Sequence, residues 1–376
     1  MNVGFDAKRL FNNFTGLGNY SRFVVNALLD HEPENEYYLY TPGKKSHPEI
    51  SAITSRPNVK VVLPPKLYSI TGTSSLWRSW GMSYEDSLQQ LDVFHGMSQE
   101  LPRNMPKRIR KVVTIHDLIF LRFPRLYKSI DIQIYKAKAL HACKSADKVV
   151  AISQQTAEDI ISFFGIPESK ITVVYQGCHP QFCGDVAKDV LLAARRRYNL
   201  PDRYLLNVGT VEERKNILMA VKALALVPEN LRIPIVIMGR ETAYKREVVN
   251  VAATLGIGHL IIFLHNVPFH DFPAIYQAAH LFLYPSLFEG FGIPVVEAIE
   301  SGVPVITSTG SCFREAGGPS SAYVDPSRPE DLTYQIVRLS EDESARQQMI
   351  HEGRQYATRF QPAQIASDLF RVYREA

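Results

Sequence analysis

Hydrophobic positions along the chain follow two rhythms. Short unbroken runs of Val, Ile, Leu, Phe and Tyr alternate with longer stretches in which apolar residues return every third or fourth position. The runs predict strands covered on both faces, and the stretches predict helices packed on one side. In the first half the runs predict strands at Val3–Asp6, Tyr37–Tyr40, Val59–Leu63, Asp92–His95, Lys111–Ile115, Lys148–Ile152 and Thr172–Tyr175. Helices are predicted at Asn19–Leu29, Ile130–Lys144 and Gln154–Phe164, the last behind Ser153, a favoured N-cap residue. Gly177–Asp202 carries Pro180, Gly184 and Pro201 and suits a linker with a short helix. The pattern then restarts, with strands predicted at Tyr204–Val208, Ile235–Met238, Ile261–Leu264, Leu281–Tyr284, Val303–Thr307 and Ala322–Val324. Between them lie predicted helices at Asn216–Val227, Thr242–Leu255, Asp271–Ala279, Gly292–Ser301 and Glu330–Leu339. Two such blocks predict two doubly wound parallel α/β domains, 1–180 and 181–359. Phe360, Ile365, Leu369, Phe370 and Tyr373 recur at helical spacing and predict a closing helix.

In open α/β sheets ligands sit beyond the carboxyl ends of the strands, so the loops after the predicted strands carry the candidate chemistry. The most specific is Glu289-Gly290-Phe291-Gly292-Ile293-Pro294-Val295-Val296-Glu297. Gly290 and Gly292 let the backbone approach a ligand. Pro294 suits a first helical turn, and the helix start offers N–H donors to an anion. Glu289 at the loop tip and Glu297 about one turn into the helix could both face one cleft and accept hydrogen bonds from sugar hydroxyls. The plain alternative is a strand–helix turn with two incidental glutamates.

The segment Gly209-Thr210-Val211-Glu212-Glu213-Arg214-Lys215-Asn216 also follows a predicted strand and opens a helix. Arg214 and Lys215 at a helix start oppose its dipole. A local conflict of that kind marks function, and two cations beside helix N–H groups would hold a diphosphate. The alternative is a surface basic pair. Gly16-Leu17-Gly18-Asn19-Tyr20 is a glycine-rich turn that lacks the third Gly of a dinucleotide fingerprint. Thr114-Ile115-His116-Asp117 places a His-Asp pair at a strand end, as a site element or as a satisfied structural histidine.

Composition narrows the class. With 45% hydrophobic and 21% charged residues the chain is neither disordered nor fibrous. No apolar run approaches the ~18–20 residues of a membrane span. Met1–Asp6 has a charge at position 6 and no apolar core of a secretory leader, so a cytoplasmic location is expected. The four cysteines, Cys143, Cys178, Cys183 and Cys312, form no C-x-x-C pair and are expected to be packing residues. No Asp-x-Asp motif stands at a strand end, so no metal and no cofactor are expected. The net charge of +4 is uneven: residues 1–180 hold 22 Lys and Arg against 16 Asp and Glu, and the rest hold 20 against 22. Residues 102–128 contain eight basic side chains and one acid, Asp117. That segment is either a solvated face or an attraction for an anionic membrane or phosphorylated acceptor, which would put the protein peripherally on the inner membrane face. The charge is modest and no recognition module is evident, so nucleic acid is not an expected partner.

With these motifs in place the sequence resembles the retaining glycosyltransferases of family 4, also called glycosyl transferases group 1, and mannosyltransferases among them. Glu289 to Glu297 resembles the family's Glu-x7-Glu signature. Phe5-Asp6-Ala7-Lys8-Arg9 with Gly16–Tyr20, Ile115–Leu118, Ala151-Ile152-Ser153, Gly209–Asn216, Ser301–Val305, Arg314–Gly318 and Asp325-Pro326 follow in family order. The resemblance implies the GT-B fold, two Rossmann-like domains facing a central cleft, with the 360–376 helix packing back on an acceptor-side N-terminal domain. It implies a donor domain at 181–359 in which Arg214 and Lys215 bind the diphosphate of a nucleotide sugar. Glu297 would hydrogen-bond the ribose, and Glu289 would contact the transferred sugar together with backbone at Gly290, Phe291, Gly292 and Ile293. Gly16, Gly18 and Gly209 would allow close approach to the phosphates. His116 would touch the sugar near the reaction centre, and Gly239, Arg240, Asn266 and Val267 would border the base. Asn19 and Gln176-Gly177 depart from the commoner family form.

The implied activity is transfer of a hexose, mannose by resemblance, from a nucleoside-diphosphate sugar to a glycan, polysaccharide or lipid-linked acceptor, with retention and without metal. A nucleotide-sugar epimerase or phosphorylase of the same fold, and a non-catalytic two-domain sugar-binding protein, are the alternatives.

Overall fold

The computed structural model describes residues 1–65, 68 and 73–376. It divides the chain into two compact units, Met1–Gly177 with Phe360–Ala376, and Cys178–Arg359. The predicted Val59–Leu63 strand stops at Val62.

The first unit holds seven parallel strands: β1 (Asn2–Asp6), β2 (Glu36–Tyr40), β3 (Val59–Val62), β4 (Val93–Gly96), β5 (Arg110–Ile115), β6 (Lys148–Ala151) and β7 (Ile171–Val173). Their order is β3-β2-β1-β4-β5-β6-β7. The order reverses between β1 and β4, where Val3 is in register with Val93 and Phe5 with His95. The carboxyl ends of those two strands therefore define the switch-point crevice of this sheet. The strands are unbroken apolar runs because helices cover both faces, and Phe5, Val93, Phe94, Val112 and Val113 are fully buried.

The helix Pro362–Glu375 opens on a proline, which fits a first turn whose N–H has no helical partner. It lays Ile365, Leu369, Phe370 and Tyr373 into the same core as Phe23, Val24 and Leu28 of the helix Gly16–His31. Fully burying each such side chain stabilises by roughly 1.5–3 kcal/mol. Tyr373 also reaches His95, with 2.7 Å between its hydroxyl and Nδ1, while Nε2 of the same ring lies 2.8 Å from Thr114 Oγ1.

The second unit has six parallel strands: β8 (Leu205–Val208), β9 (Ile235–Met238), β10 (Ile261–Leu264), β11 (Leu281–Tyr284), β12 (Val305–Ser308) and β13 (Ala322–Val324). Their order is β10-β9-β8-β11-β12-β13, so this sheet reverses between β8 and β11. Its core joins Leu205, Ile237, Leu283 and Ile306 to helix residues such as Val221, Val248 and Ile336. The segment after Gly177 is not a free linker. Its helix Lys188–Arg197 belongs to this unit, with Arg197 paired to Asp271 at 2.8 Å and the Val186 N–H donating to Gln277 at 2.8 Å. A polar helix, Glu343–Ala357, has no counterpart among the predicted elements. Its composition gives no apolar stripe, and in it only Gly353 and Ala357 are buried.

Candidate active site

The loops after β8 and β11 meet at the switch point of the second sheet. After β8, Gly209 leaves the strand at φ 149°, and Glu213–Lys215 form a single 3-10 turn. Asn216 then adopts the left-handed region at φ 56°, and the helix Ile217–Leu226 begins behind it. This corrects the placement of Arg214 and Lys215 at a helix start. The left-handed Asn216 separates them from the helix, so its dipole is not what they oppose. The Asn216 amide holds the break by donating to the carbonyls of Pro285 at 3.0 Å and Pro326 at 2.8 Å.

Both cations turn onto Glu289. Arg214 Nη1 lies 2.7 Å from Glu289 Oε2, and Lys215 Nζ lies 2.6 Å from Oε1. Arg214 also donates to the Phe288 carbonyl at 2.6 Å and to Glu212 at 2.7 Å. Lys215 also donates to the Tyr284 hydroxyl at 2.7 Å. The three side chains are 10–13% exposed, so water screens the cluster poorly. Burial alone would raise the Glu289 carboxyl, but the Lys215 and Arg214 charges override it and hold the group at about 2. Burial lowers the Lys215 ammonium, partly offset by Glu289. Arg214 and Lys215 are thus held side by side on Glu289, with Glu212 taking a second face of the Arg214 guanidinium.

The loop carrying Glu289 is fixed from below. Ser311 Oγ donates to the Glu289 carbonyl at 3.1 Å, and the Cys312 thiol reaches the carbonyls of Glu289 at 3.2 Å and Phe291 at 2.9 Å. Cys312 thus fastens a loop, which goes beyond the expected packing role, and Cys183 is exposed. Gly292 stands at φ 101° as the N-cap of the helix Ile293–Glu300, with Pro294 in its first turn and no side-chain cap. Gly290 and Phe291 are buried, and Ile293 is half-buried.

Glu297, inside that helix, accepts a 2.8 Å hydrogen bond from the Tyr276 hydroxyl and makes no ion pair with Arg214 or Lys215. Burial raises its carboxyl to about 7, only partly countered by that bond. The two glutamates therefore sit in opposite environments, one fixed as an anion and the other poised near neutrality.

Gly239, at φ 156° after β9, packs against Gly209, and a Cβ on it would lie 2.0 Å from the Gly209 carbonyl oxygen. Arg240 and Asn266 are exposed and Val267 is half-buried in the loops after β9 and β10, with no hydrogen bond from these side chains to the Arg214 cluster.

The other candidates belong to the first unit. Gly16 and Gly18 are not in a turn ahead of a helix, because the helix Gly16–His31 starts at Gly16 itself. Gly18 has a packing reason for lacking a side chain, since a Cβ would fall 1.7 Å from the Asn13 carbonyl oxygen, whereas Gly16 faces open space. His116 is 4% exposed. Its Nε2–H donates to the Met97 carbonyl at 2.8 Å, which leaves Nδ1 to accept from the Gln176 amide at 3.1 Å. Burial, with Arg9 adding to it, drops the ring to about 4, so His116 is neutral at physiological pH. Both ring nitrogens are occupied, and Gln176 holds one of them.

The sequence falls under two family models. Residues 193–356 match glycosyl transferases group 1, and residues 15–182 match Glycosyltransferase Family 4. An O-antigen chain mannosyltransferase B of Escherichia coli is 28% identical over 286 residues, covering 75% of this chain and 74% of that protein. This chain belongs to the group 1 glycosyltransferases. The serotype-specific mannosyltransferase WbdA of Escherichia coli is 26% identical over 69% of the chain, and the chain spans only a third of that longer protein, 33%. The crystal structure of Anabaena Alr3699/HepE in complex with UDP superposes with a TM-score of 0.74 at 16% identity, covering 100% of this chain and 99% of that one. The glycosyltransferase has the GT-B fold.

In this glycosyltransferase the sequence motifs point to Arg214, Lys215 and Glu289 but not to the groups that position them. Tyr284 and Tyr276 read as apolar strand and helix residues, and Ser311 with Cys312 reads as a loop. Their roles arise from contacts across β11, β12 and the following turn. Much of the basic 102–128 segment is engaged within its own unit. Arg122 pairs with Asp159 and Lys111 with Asp147, Arg103 lies over the Trp80 ring, and Arg108 and Arg110 donate to backbone carbonyls. Among the described residues no helix is long and apolar enough to cross a membrane.

Proposed function

We propose that the chain is a retaining, metal-independent glycosyltransferase that moves a hexose from a nucleoside-diphosphate sugar to a glycan, polysaccharide or lipid-linked acceptor. Mannose is favoured because relatives are named as mannosyltransferases. The observation that carries the reading is the buried Arg214–Lys215–Glu289 cluster at the carboxyl end of β8 and β11. A nucleoside diphosphate leaves as an anion, so its departure needs fixed positive charge more than a proton donor. Arg214 and Lys215 supply that charge in a site where water screens it little. Glu289, held as an anion at about 2, cannot serve as an acid at neutral pH. It keeps both cations in place and accepts hydrogen bonds from sugar hydroxyls. Glu297 takes the ribose hydroxyls. The leaving phosphate accepts the acceptor's proton on the face from which it departs. His116, neutral and engaged at both nitrogens, contacts the sugar rather than exchanging protons. Any contact with an anionic membrane falls to the exposed Lys107 and Lys128.

The test uses Lys215→Met. Truncating Glu289 would strand the buried Lys215 ammonium and destabilise the fold by roughly 3–5 kcal/mol. Removing Lys215 leaves Glu289 still paired with Arg214. GDP or UDP should raise the melting temperature of the native protein, and Lys215→Met should weaken that binding on the order of 10–100-fold, the worth of one charge-assisted hydrogen bond. Product analysis by NMR should show the donor's anomeric configuration retained, with activity unchanged by a chelator. A protein that binds neither nucleotide, or a variant that binds them as tightly as the parent, overturns the assignment of the cations.

A further inference from the structure

The switch point of the first sheet is also built as a binding site. Two hollows lie there within the first unit. One, of about 250 Å³, is lined by Arg9, Ser98, Asp117, Phe120, Tyr127 and Tyr135, and the other, of about 380 Å³, by Ser79, Trp80, Leu101, Arg103 and His141. They share one wall, made of Glu100 and Lys138, whose side chains pair at 3.3 Å. Arg9 follows β1, and Ser98 to Leu101 follow β4, the two strands between which the sheet reverses. That is where a doubly wound sheet takes its ligand.

The wall is rigid. Glu100 receives a 2.5 Å bond from Arg78, which is itself clamped on Asp6 at the end of β1 by bonds of 2.8 and 2.5 Å. The lining suits a polyhydroxyl ring. Phe120 meets Tyr127 and Tyr135 edge to face, with centroids 6.5 and 5.8 Å apart, and the two tyrosines expose 37% and 45% of their surface. Trp80 presents an exposed ring in the other hollow, backed by Arg103 5.2 Å from its centroid. Aromatic faces take the apolar side of a sugar, and the surrounding carboxylates and cations take its hydroxyls. In the first hollow Arg9 and Lys138 balance Glu100 and Asp117, so a neutral ligand fits better than an anion.

We propose that the first unit binds an oligosaccharide acceptor of at least two sugar units, one ring against Tyr127 and Tyr135 and the next across the Glu100–Lys138 wall against Trp80. This rests on the glycosyltransferase reading and adds the length of the acceptor and the neutrality of the ring held in the first hollow.

The test measures binding of α-linked manno-, gluco- and galacto-oligosaccharides of one to four units to the full chain by calorimetry, with intrinsic fluorescence in parallel. The chain has two tryptophans. Trp77 is fully buried and Trp80 is 44% exposed, so a ligand at Trp80 moves the emission of that residue alone. In one series affinity should rise from one unit to two or three, and emission should change only for members long enough to reach Trp80. Trp80→Ala should remove the gain for the longer members, on the order of tenfold for loss of an aromatic anchor, with Trp80→Phe restoring part of it. Tyr135→Ala should weaken every length. Equal affinity at all lengths, as a monosaccharide or lipid-borne acceptor would give, or no binding in any series, overturns the proposal. GDP and UDP titrated into the same protein separate the two failures. Nucleotide binding without length dependence defeats the groove alone, and loss of both defeats the glycosyltransferase mechanism above.

Discussion

Two glutamates eight positions apart illustrate how environment assigns chemistry to the same side chain. Glu289 is ionised because two cations outweigh its burial, and Glu297 is near neutrality because only one hydroxyl opposes its burial. The two contribute to stability with opposite sign. Glu289 has a depressed pKa, so its contribution is present above the ordinary value of 4.5 and is lost as pH falls toward 2. Glu297 has a raised pKa, so the folded state holds its proton more tightly than the unfolded chain. Its cost is absent below 4.5, grows between 4.5 and 7, and is complete above 7. The displacement corresponds to roughly 3 kcal/mol. Glu297→Gln keeps an oxygen for the Tyr276 hydroxyl and removes the titration. In urea unfolding, the variant should therefore gain roughly 2–3 kcal/mol relative to the parent between pH 5 and pH 8. A parent and variant whose stabilities run parallel over that range would show that Glu297 does not titrate there. Donor affinity carries the opposite sign in the parent. If ribose hydroxyls bond the Glu297 carboxylate as proposed, binding should tighten as pH rises through 7.

At the scale of elements, the strands were legible and the turns were not. Parallel strands buried on both faces leave apolar runs, so β9, β10, β11 and β13 begin and end at the predicted residues. Helices with one buried stripe, such as Gln154–Phe164 behind its Ser153 cap, were equally plain. Glu343–Ala357 was invisible because its burial rests on a glycine and an alanine. The sequence pattern puts Arg214 and Lys215 directly ahead of the helix predicted from Asn216, and nothing local announces the left-handed Asn216, whose conformation is held by carbonyls from two distant loops. The glycine pair between β8 and β9 was legible only in part. Gly239 follows a predicted strand, but its need for no side chain comes from Gly209, on the neighbouring strand. Gly239→Ala would set a methyl 2.0 Å from a backbone oxygen at φ 156°, so backbone must move, and the loop bearing Arg214 moves with it. The expected cost is roughly 1–3 kcal/mol, with a parallel loss of nucleotide affinity. Gly256 also has a positive φ, of 72°, but open space surrounds the position an alanine methyl would take. Gly256→Ala should cost stability alone. Chemical denaturation and nucleotide titration of the two variants separate these effects, and equal nucleotide affinity in both would mean that the Gly209–Gly239 contact does not position the cations.

At the scale of the molecule, chain order and unit membership differ. The last seventeen residues, 360–376, belong to the unit that begins the chain, while the Arg214 cluster lies wholly in the unit between. Each unit has its own core, so heat should unfold them as two transitions. If Arg214 and Lys215 carry the donor diphosphate, GDP or UDP must act first on the second unit. At about 100 times its dissociation constant a nucleotide adds about 2.7 kcal/mol, or roughly 5–10 °C for a unit of this size. A chain stopped after Arg359 loses the other half of the argument. It strips Ile365, Leu369, Phe370 and Tyr373 from the first core and leaves His95 Nδ1 without its hydroxyl. Four side chains at roughly 1.5–3 kcal/mol each approach the whole stability of a domain, so the first unit should not fold at room temperature. Calorimetry of the truncated chain should then show one transition, and nucleotide should still raise it. Loss of the nucleotide shift on truncation would mean that donor binding draws on the first unit. Survival of both transitions would mean that the closing helix contributes little to the core in which it lies.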